Sequence, residues 1–222
     1  MLFFMSNVPP ETLIPLAIGW ILGGLIGMTI HEFAHNYVAF LMGDPTPANQ
    51  GRLNLNPMTH IYWPGFIMFV LIGFGILGSA PISAQRMRNP RWGYLAAVAA
   101  GPFSNLLLAV VIAIIVRLLG FPDAAFSSEF MLNVYFVLLM LVQFNVLLFV
   151  FNLLPLFPLD GWWIVLSLLP SDLAYTWERN AQTTQYIFLG LILLSFVPIG
   201  NFDPLGLIIV QPISFIMGIL GF

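Results

Sequence analysis

His31 and His35 stand four residues apart with Glu32 directly after the first, inside the otherwise apolar stretch Met28-Thr29-Ile30-His31-Glu32-Phe33-Ala34-His35-Asn36. On a helix, positions i and i+4 share a face, so the two imidazoles can hold one tetrahedral metal ion. Glu32 is then beside that ion, placed to take a proton from an attacking water. The chemistry this spacing supports is metal-assisted hydrolysis. A purely structural role for the three groups fits poorly, because ionisable side chains in lipid are costly and usually functional. Two histidines leave a catalytic site one protein ligand short, and an Asp or Glu from elsewhere commonly completes it. The chain has no cysteine, so the ligand must be His, Asp or Glu. Asp160 is the best candidate, since it follows Asn152-Leu153-Leu154-Pro155-Leu156-Phe157-Pro158, where two prolines must end or unwind a helix. The remaining carboxylates, Glu11, Asp44, Asp123, Glu129, Asp172, Glu178 and Asp203, lie in loops or near segment ends where a solvated role suffices.

The elements that must position these groups are membrane segments. Of 222 residues, 60% are hydrophobic and 7% charged, and the mean hydropathy is +0.98, well outside the soluble range. That length allows about five or six spans of roughly 20 residues each. A net charge of -3, with no lysine and six arginines, offers no basic surface for nucleic acid. Without cysteine there are no disulfides and no thiolate nucleophile or ligand. The N-terminus lacks the basic flank and cleavage site of a signal peptide, so the first hydrophobic segment is expected to be retained.

Segment 1 runs from about Thr12 to Met42 and is ended by Gly43-Asp44-Pro45. Gly19, Gly23 and Gly27 form a ridge that continues through His31 and His35, and small residues let another helix approach. The histidine face therefore looks into the bundle. Residues 44 to 60 are polar, and Gly51-Arg52-Leu53-Asn54-Leu55-Asn56-Pro57 alternates with period two, which predicts a short strand ended by proline. Segment 2, about Ile61 to Ser79, is a borderline span carrying Pro64 and several glycines. Arg86, Arg88 and Arg91 follow it, and the positive-inside rule makes their loop cytosolic. Segments 3 (about Trp92 to Leu119) and 4 (about Phe130 to Leu154) are joined by a loop of about ten residues with Asp123 and Glu129. A short apolar piece (158 to 170), a polar one (171 to 182), and segments 5 (about Thr183 to Ile199) and 6 (about Leu205 to Gly221) close the chain. Pro198, Pro204 and Pro212 break the last two segments, which makes them plausible gates.

These motifs resemble those of the site-2 proteases, intramembrane zinc metalloproteases that pair an HExxH helix with a downstream NxxPxxPxDG motif. Here they read His31-Glu32-Phe33-Ala34-His35 and Asn152 through Asp160-Gly161. The family's GPxxN element is present as Gly101-Pro102-Phe103-Ser104-Asn105. Leu55-Asn56-Pro57 and His60 are similar to the LNPxxH stretch of a compact bacterial and archaeal subgroup without PDZ or CBS domains. That subgroup tends to have Asp-Pro shortly after this histidine, where Ile61-Tyr62-Trp63-Pro64 stands here, so no role for that aspartate carries over. The resemblance implies one zinc ion held by His31, His35 and Asp160, Glu32 as catalytic base, and Asn152 and Asn105 as substrate-binding or oxyanion-binding residues. Asn145, seven residues before Asn152, is a further candidate, while His60 is left outside the metal set.

The expected architecture is an all-α integral membrane protein. It is a polytopic bundle of about five transmembrane helices plus one re-entrant segment, with a small β-strand element in the 44–60 loop. Residues 1–222 form one membrane-embedded protease domain, with a catalytic core over about 12–170 and C-terminal helices over about 183–222. If one site uses the end of segment 1, the start of segment 3 and the end of segment 4, those ends share a side, and segment 2 cannot cross. The arginine loop makes that side cytosolic, and Trp63, Trp92, Trp162, Trp163 and Trp177 fall where an interfacial belt on it would lie. Arg117, near the opposite end of segment 3, runs against this orientation but can snorkel. Water is expected past the 44–60 loop, and the strand near Arg52 to Asn56 is expected to pair with an unwound substrate. By the resemblance, substrates are transmembrane proteins of a prokaryotic cell membrane. The competing class is a non-proteolytic metal-binding or ion-transport protein, which explains buried ligands but has no need of Glu32.

Overall fold

Long apolar runs separated by proline, asparagine and glycine dictate helices joined by tight connections, and the computed structural model has that form. It describes residues 10–75, 78–196 and 203–222. Expectations for residues 1–9, for Pro198 and for the end of segment 5 lie outside them. The helices, in chain order, are α1 (Pro10–Leu41), α2 (Thr46–Asn49), α3 (Pro57–His60), α4 (Trp63–Ile72), α5 (Pro90–Leu118), α6 (Glu129–Asn152), α7 (Asp160–Leu168), α8 (Ser171–Arg179), α9 (Ala181–Phe196) and α10 (Pro204–Leu220). The described residues contain no strand, and the protein is all-α.

Residues 12–41 of α1, together with α5 and α6, are long and apolar enough to cross a membrane, so this is a membrane protein. The starts of α5 and α6 are chemically marked. Asn89 accepts the Trp92 N–H ahead of Pro90, and Ser128 accepts the Met131 N–H, which satisfies amides that a helix start leaves free. Glu129 is therefore the first residue of α6, where a carboxylate suits the positive end of the helix dipole, and not a loop residue.

α1 packs against both α5 and α6. A Cβ on Gly19 would stand 2.6 Å from Met140 Cβ, one on Gly23 would stand 2.9 Å from Phe144 Cβ, and one on Gly27 would stand 3.0 Å from Asn145 Oδ1. The glycine ridge is thus the seam with α6, and it turns the histidine face inward. Ala109, Ile112 and Val116 of α5 pack with Leu141, Val142, Val146 and Val150 of α6. A second cluster joins Met28, Phe66, Phe69, Phe144 and Leu148 across α1, α4 and α6.

The connection from α1 to α5 returns to the end it left. The Arg88 N–H donates to the Met42 carbonyl at 2.9 Å, so the two helix ends meet. Segment 2 provides only the 10-residue α4, ended by Gly73 at φ 88. At 1.5 Å per residue α4 spans about 15 Å, half of a hydrocarbon core. The return is latched by Asp44, which is fully buried and accepts from the Thr46 hydroxyl, the Thr46 N–H and the Ser83 N–H. Burial alone would raise this carboxyl, but those hydrogen bonds and Arg86 outweigh it and hold it below its ordinary value.

Other expectations are corrected. No strand forms over Arg52–Asn56, because amide side chains occupy the local backbone: Asn54 accepts the Asn56 N–H, Asn56 accepts the Met58 N–H, and Asn54 donates to the Gly51 carbonyl. Such local bonds compete with strand pairing, and Pro57 opens α3 directly behind them. Among the described residues, the pairing is one antiparallel bridge between Ile61 and Gly78. Trp162 does not join an interfacial belt; it is 1% exposed and packed edge-on between Phe157 and Trp163. Arg117 donates to the Leu220 carbonyl at 3.0 Å, closing the C-terminal end of α10, so its charge has a local partner.

Candidate active site

α1 presents His31 and His35 on one face, both buried, with their Nε2 atoms 3.0 Å apart. Each ring is fixed from behind by α5. His35 Nδ1 donates to the Ala97 carbonyl at 2.9 Å, and His31 Nδ1 donates to Asn105 Oδ1 at 2.7 Å. With both Nδ1 atoms serving as donors, the neutral rings carry their lone pairs on Nε2, the form a metal ligand requires. The rings lie so close over Gly101 that a Cβ there would collide with His35 Cε1 and Nε2. The GPxxN element thereby acquires a physical meaning: glycine admits the rings, and asparagine, one turn on, holds one of them.

Asp160 is the first residue of α7. The turn before it is so tight that a Cβ on Gly161 would strike the Leu153 and Leu154 carbonyls, which explains the Asp-Gly pair. At the far end of α7, the Arg91 guanidinium donates to the carbonyls of Ser167, Leu168 and Leu169. The carboxylate is thereby set from both ends of its helix. Asp160 Oδ2 lies 3.1 Å from His31 Nε2 and 3.3 Å from His35 Nε2, yet it is buried and makes no hydrogen bond. Tetrahedral ligands about 2.0–2.1 Å from a zinc ion stand about 3.3 Å apart, so these three atoms fit one ion. The structure brings the three residues named from sequence into one group that could hold a metal.

Glu32 is 3% exposed and lines the same cavity of about 360 Å³ as the three ligands. Its Oε2 has no hydrogen-bond partner, and its Oε1 would be 2.8 Å from a Cβ on Gly78, so the Ile61–Gly78 bridge lies against it. Asn152 also lines the cavity, with its Nδ2 donating to the Leu148 carbonyl at 3.0 Å. Among the described residues, the cavity is walled by α1, α5, α6, α7 and α9 together with Phe74, Gly75 and the stretch from Gly78 to Ile82, and not by the 44–60 loop. A second cavity of about 590 Å³ shares Ile82, Tyr94 and Trp163 with the first. Sequence reasoning missed Tyr94 and Trp163 as wall residues; Tyr94 sits seven residues before Gly101, on the α5 face that holds the histidines.

Asn105 is brought to the centre but is fully buried behind His31 and does not line the cavity. His60 stands apart from the metal group. Its Nε2 donates to the Asn54 carbonyl at 2.6 Å, and burial, opposed by that bond and aided by Arg52, depresses its pKa below the ordinary histidine value.

A relative from Bacillus subtilis named "Putative zinc metalloprotease YwhC" is 36% identical over 182 residues, covering 80% of this chain and 80% of its own length. Proteins of the same description named Rip2 match from Mycobacterium tuberculosis strain H37Rv, at 30% over 202 residues covering 86% of this chain and 73% of the relative. Rip2 from Mycolicibacterium smegmatis matches at 28% over 201 residues, covering 88% and 73%. No family model matches the chain, and no solved structure gives a significant match. With the metal motifs in place and relatives of this similarity and coverage, the chain belongs to the site-2 protease family.

Proposed function

We propose that the chain is an intramembrane zinc metalloprotease that hydrolyses peptide bonds within or near transmembrane segments of membrane proteins. His31, His35 and Asp160 hold one zinc ion, and Glu32 is the general base. The observation that carries this reading is the convergence of three lone-pair atoms at 3.0, 3.1 and 3.3 Å in a cavity that also holds the unpartnered Glu32 carboxylate. Zinc, when bound, supplies Lewis-acid polarisation of the scissile carbonyl and makes water more acidic. Glu32 accepts the proton at Oε2 and returns it to the leaving amine. Asn152 meets the substrate or the oxyanion with the N–H that Leu148 leaves free. A helical substrate hides its peptide groups in hydrogen bonds, so it unwinds before it enters. Water reaches the site from the second cavity, past Ile82, Tyr94 and Trp163.

In this reading, α1, α5 and α6 cross the bilayer, α9 and α10 cross as shorter helices, and α4 is re-entrant. Residues 1–222 act as one membrane-embedded unit. The loop with Arg86, Arg88 and Arg91 faces the cytosol, so the catalytic cavity opens towards that side of a prokaryotic cell membrane. Purified chain in detergent, tested on single-span membrane proteins, decides the matter. Glu32→Gln is expected to keep bound zinc and to lose cleavage by at least about 100-fold, the scale of a general base. Unchanged activity of a zinc-loaded Glu32→Gln protein would favour a metal-binding or ion-transport role instead.

A further inference from the structure

The histidine face is backed by two buried amides that the hydrolytic reading leaves without a task. Asn105 and Asn145 are both fully buried, on α5 and α6. Asn145 Nδ2 donates to the Leu141 carbonyl at 2.9 Å, which turns its Oδ1 towards Asn105. Asn105 Nδ2 then has two acceptors, Asn145 Oδ1 at 3.0 Å and the Gly27 carbonyl at 2.9 Å, and it has one N–H for each. Its Oδ1 is left facing His31 Nδ1 at 2.7 Å. Reversing Asn105 would set its oxygen against the Gly27 carbonyl and Asn145 Oδ1, and reversing Asn145 would set its oxygen against the Leu141 carbonyl and its nitrogen against Asn105 Nδ2, all in a fully buried setting. The orientation of the whole chain is therefore fixed by one backbone carbonyl of α6 and one of α1.

From this we infer that Asn105, oriented by Asn145, is a positioning residue that locks His31 as the Nδ1–H tautomer and presents its Nε2 lone pair to the metal. An acceptor oxygen at Asn105 can only be met by an N–H, so the proton is kept on the nitrogen away from the ion. The amide also fixes the tilt of the ring, because its own two donors are tied to different helices. This assignment replaces the substrate contact expected for Asn105: a side chain with no exposure, outside the cavity lining and with both N–H groups committed inside the protein does not meet a substrate. It rests on the zinc-site reading of the preceding subsection, but on the metal site rather than on proteolysis. Loss of such an outer partner typically weakens metal binding by about 10–100-fold.

The test uses the full-length protein in detergent and two readouts: zinc affinity by competition with a chromophoric chelator, and the visible absorption of the Co²⁺-substituted protein. Asn105→Leu is expected to bind zinc about 10–100-fold more weakly than wild type and to alter the Co²⁺ bands. Asn105→Asp keeps an oxygen facing His31, but its second oxygen meets the Gly27 carbonyl and Asn145 Oδ1 unless it carries a proton, so it is expected to recover only part of the affinity lost in Asn105→Leu. Asn145→Leu leaves Asn105 tied to Gly27 alone and should fall between wild type and Asn105→Leu. Wild-type zinc affinity and Co²⁺ bands in Asn105→Leu would overturn the inference. If Asn105→Leu does not fold, Asn145→Leu decides in its place, and wild-type zinc affinity and Co²⁺ bands in that variant would overturn the inference. Because metal affinity is the readout, a wild-type protein that binds zinc but cleaves no substrate would sink the protease reading and leave this inference standing.

Discussion

Gly101 shows how much of the site depends on an absent side chain. A Cβ at this position would collide with the His35 ring and reach within 2.9 Å of His31 Cε1. Neither ring can retreat, since each is tethered through Nδ1 to α5 itself. Forcing one extra carbon into a packed site typically costs about 1–3 kcal/mol, and here the strain falls on the two ligands. Gly101→Ala is therefore expected to weaken zinc binding about tenfold or more with little change in helix content. Equilibrium metal competition and circular dichroism measure the two quantities, and unaltered affinity would show that the rings can shift.

Among the elements, α7 has the most demanding placement, because it carries a ligand on a helix of nine residues that is too short to hold itself in place. Its N-terminal turn is set by close packing at Gly161, and its C-terminal carbonyls by the forked guanidinium of Arg91. Arg91→Ala should therefore lower both thermal stability and zinc affinity. Arg91→Lys should rescue only part of this, because an ammonium cannot reproduce three bonds in a planar fork. Thermal melts with and without zinc check the expectation: equal losses in both conditions would indicate a stabilising contact with no bearing on the metal.

For the molecule as a whole, the meeting of Met42 and Arg88 puts the ends of α1 and α5 on one side of the bundle, and the α5 to α6 connection on the other. The natural absence of cysteine makes this directly measurable. A cysteine in place of the exposed Gln85 should react with a membrane-impermeant maleimide only from the cytosolic side, and one in place of the exposed Ser127 only from the opposite side. The reverse pattern would invert the proposed orientation and place the catalytic cavity towards the outside.

The local chemistry was legible in the sequence because it depends on fixed spacings. His31 and His35 share a helix face at any tertiary arrangement, and the proline-broken stretch before Asp160 marks where a carboxylate leaves regular backbone. The glycine ridge likewise foretold which face of α1 is buried. The strand over Arg52–Asn56 was misread because period-two alternation cannot reveal that Asn54 and Asn56 spend their amides on neighbouring backbone groups. The short α4 was blurred because hydropathy does not record where Gly73 turns the chain. Only the tertiary structure decided that Asn105 stands behind His31, that Arg91 holds the helix of Asp160, and that Tyr94 and Trp163 wall the cavity. Each of these is a contact between residues far apart in the chain, whose partners depend on how helices approach one another and not on the spacing within any of them.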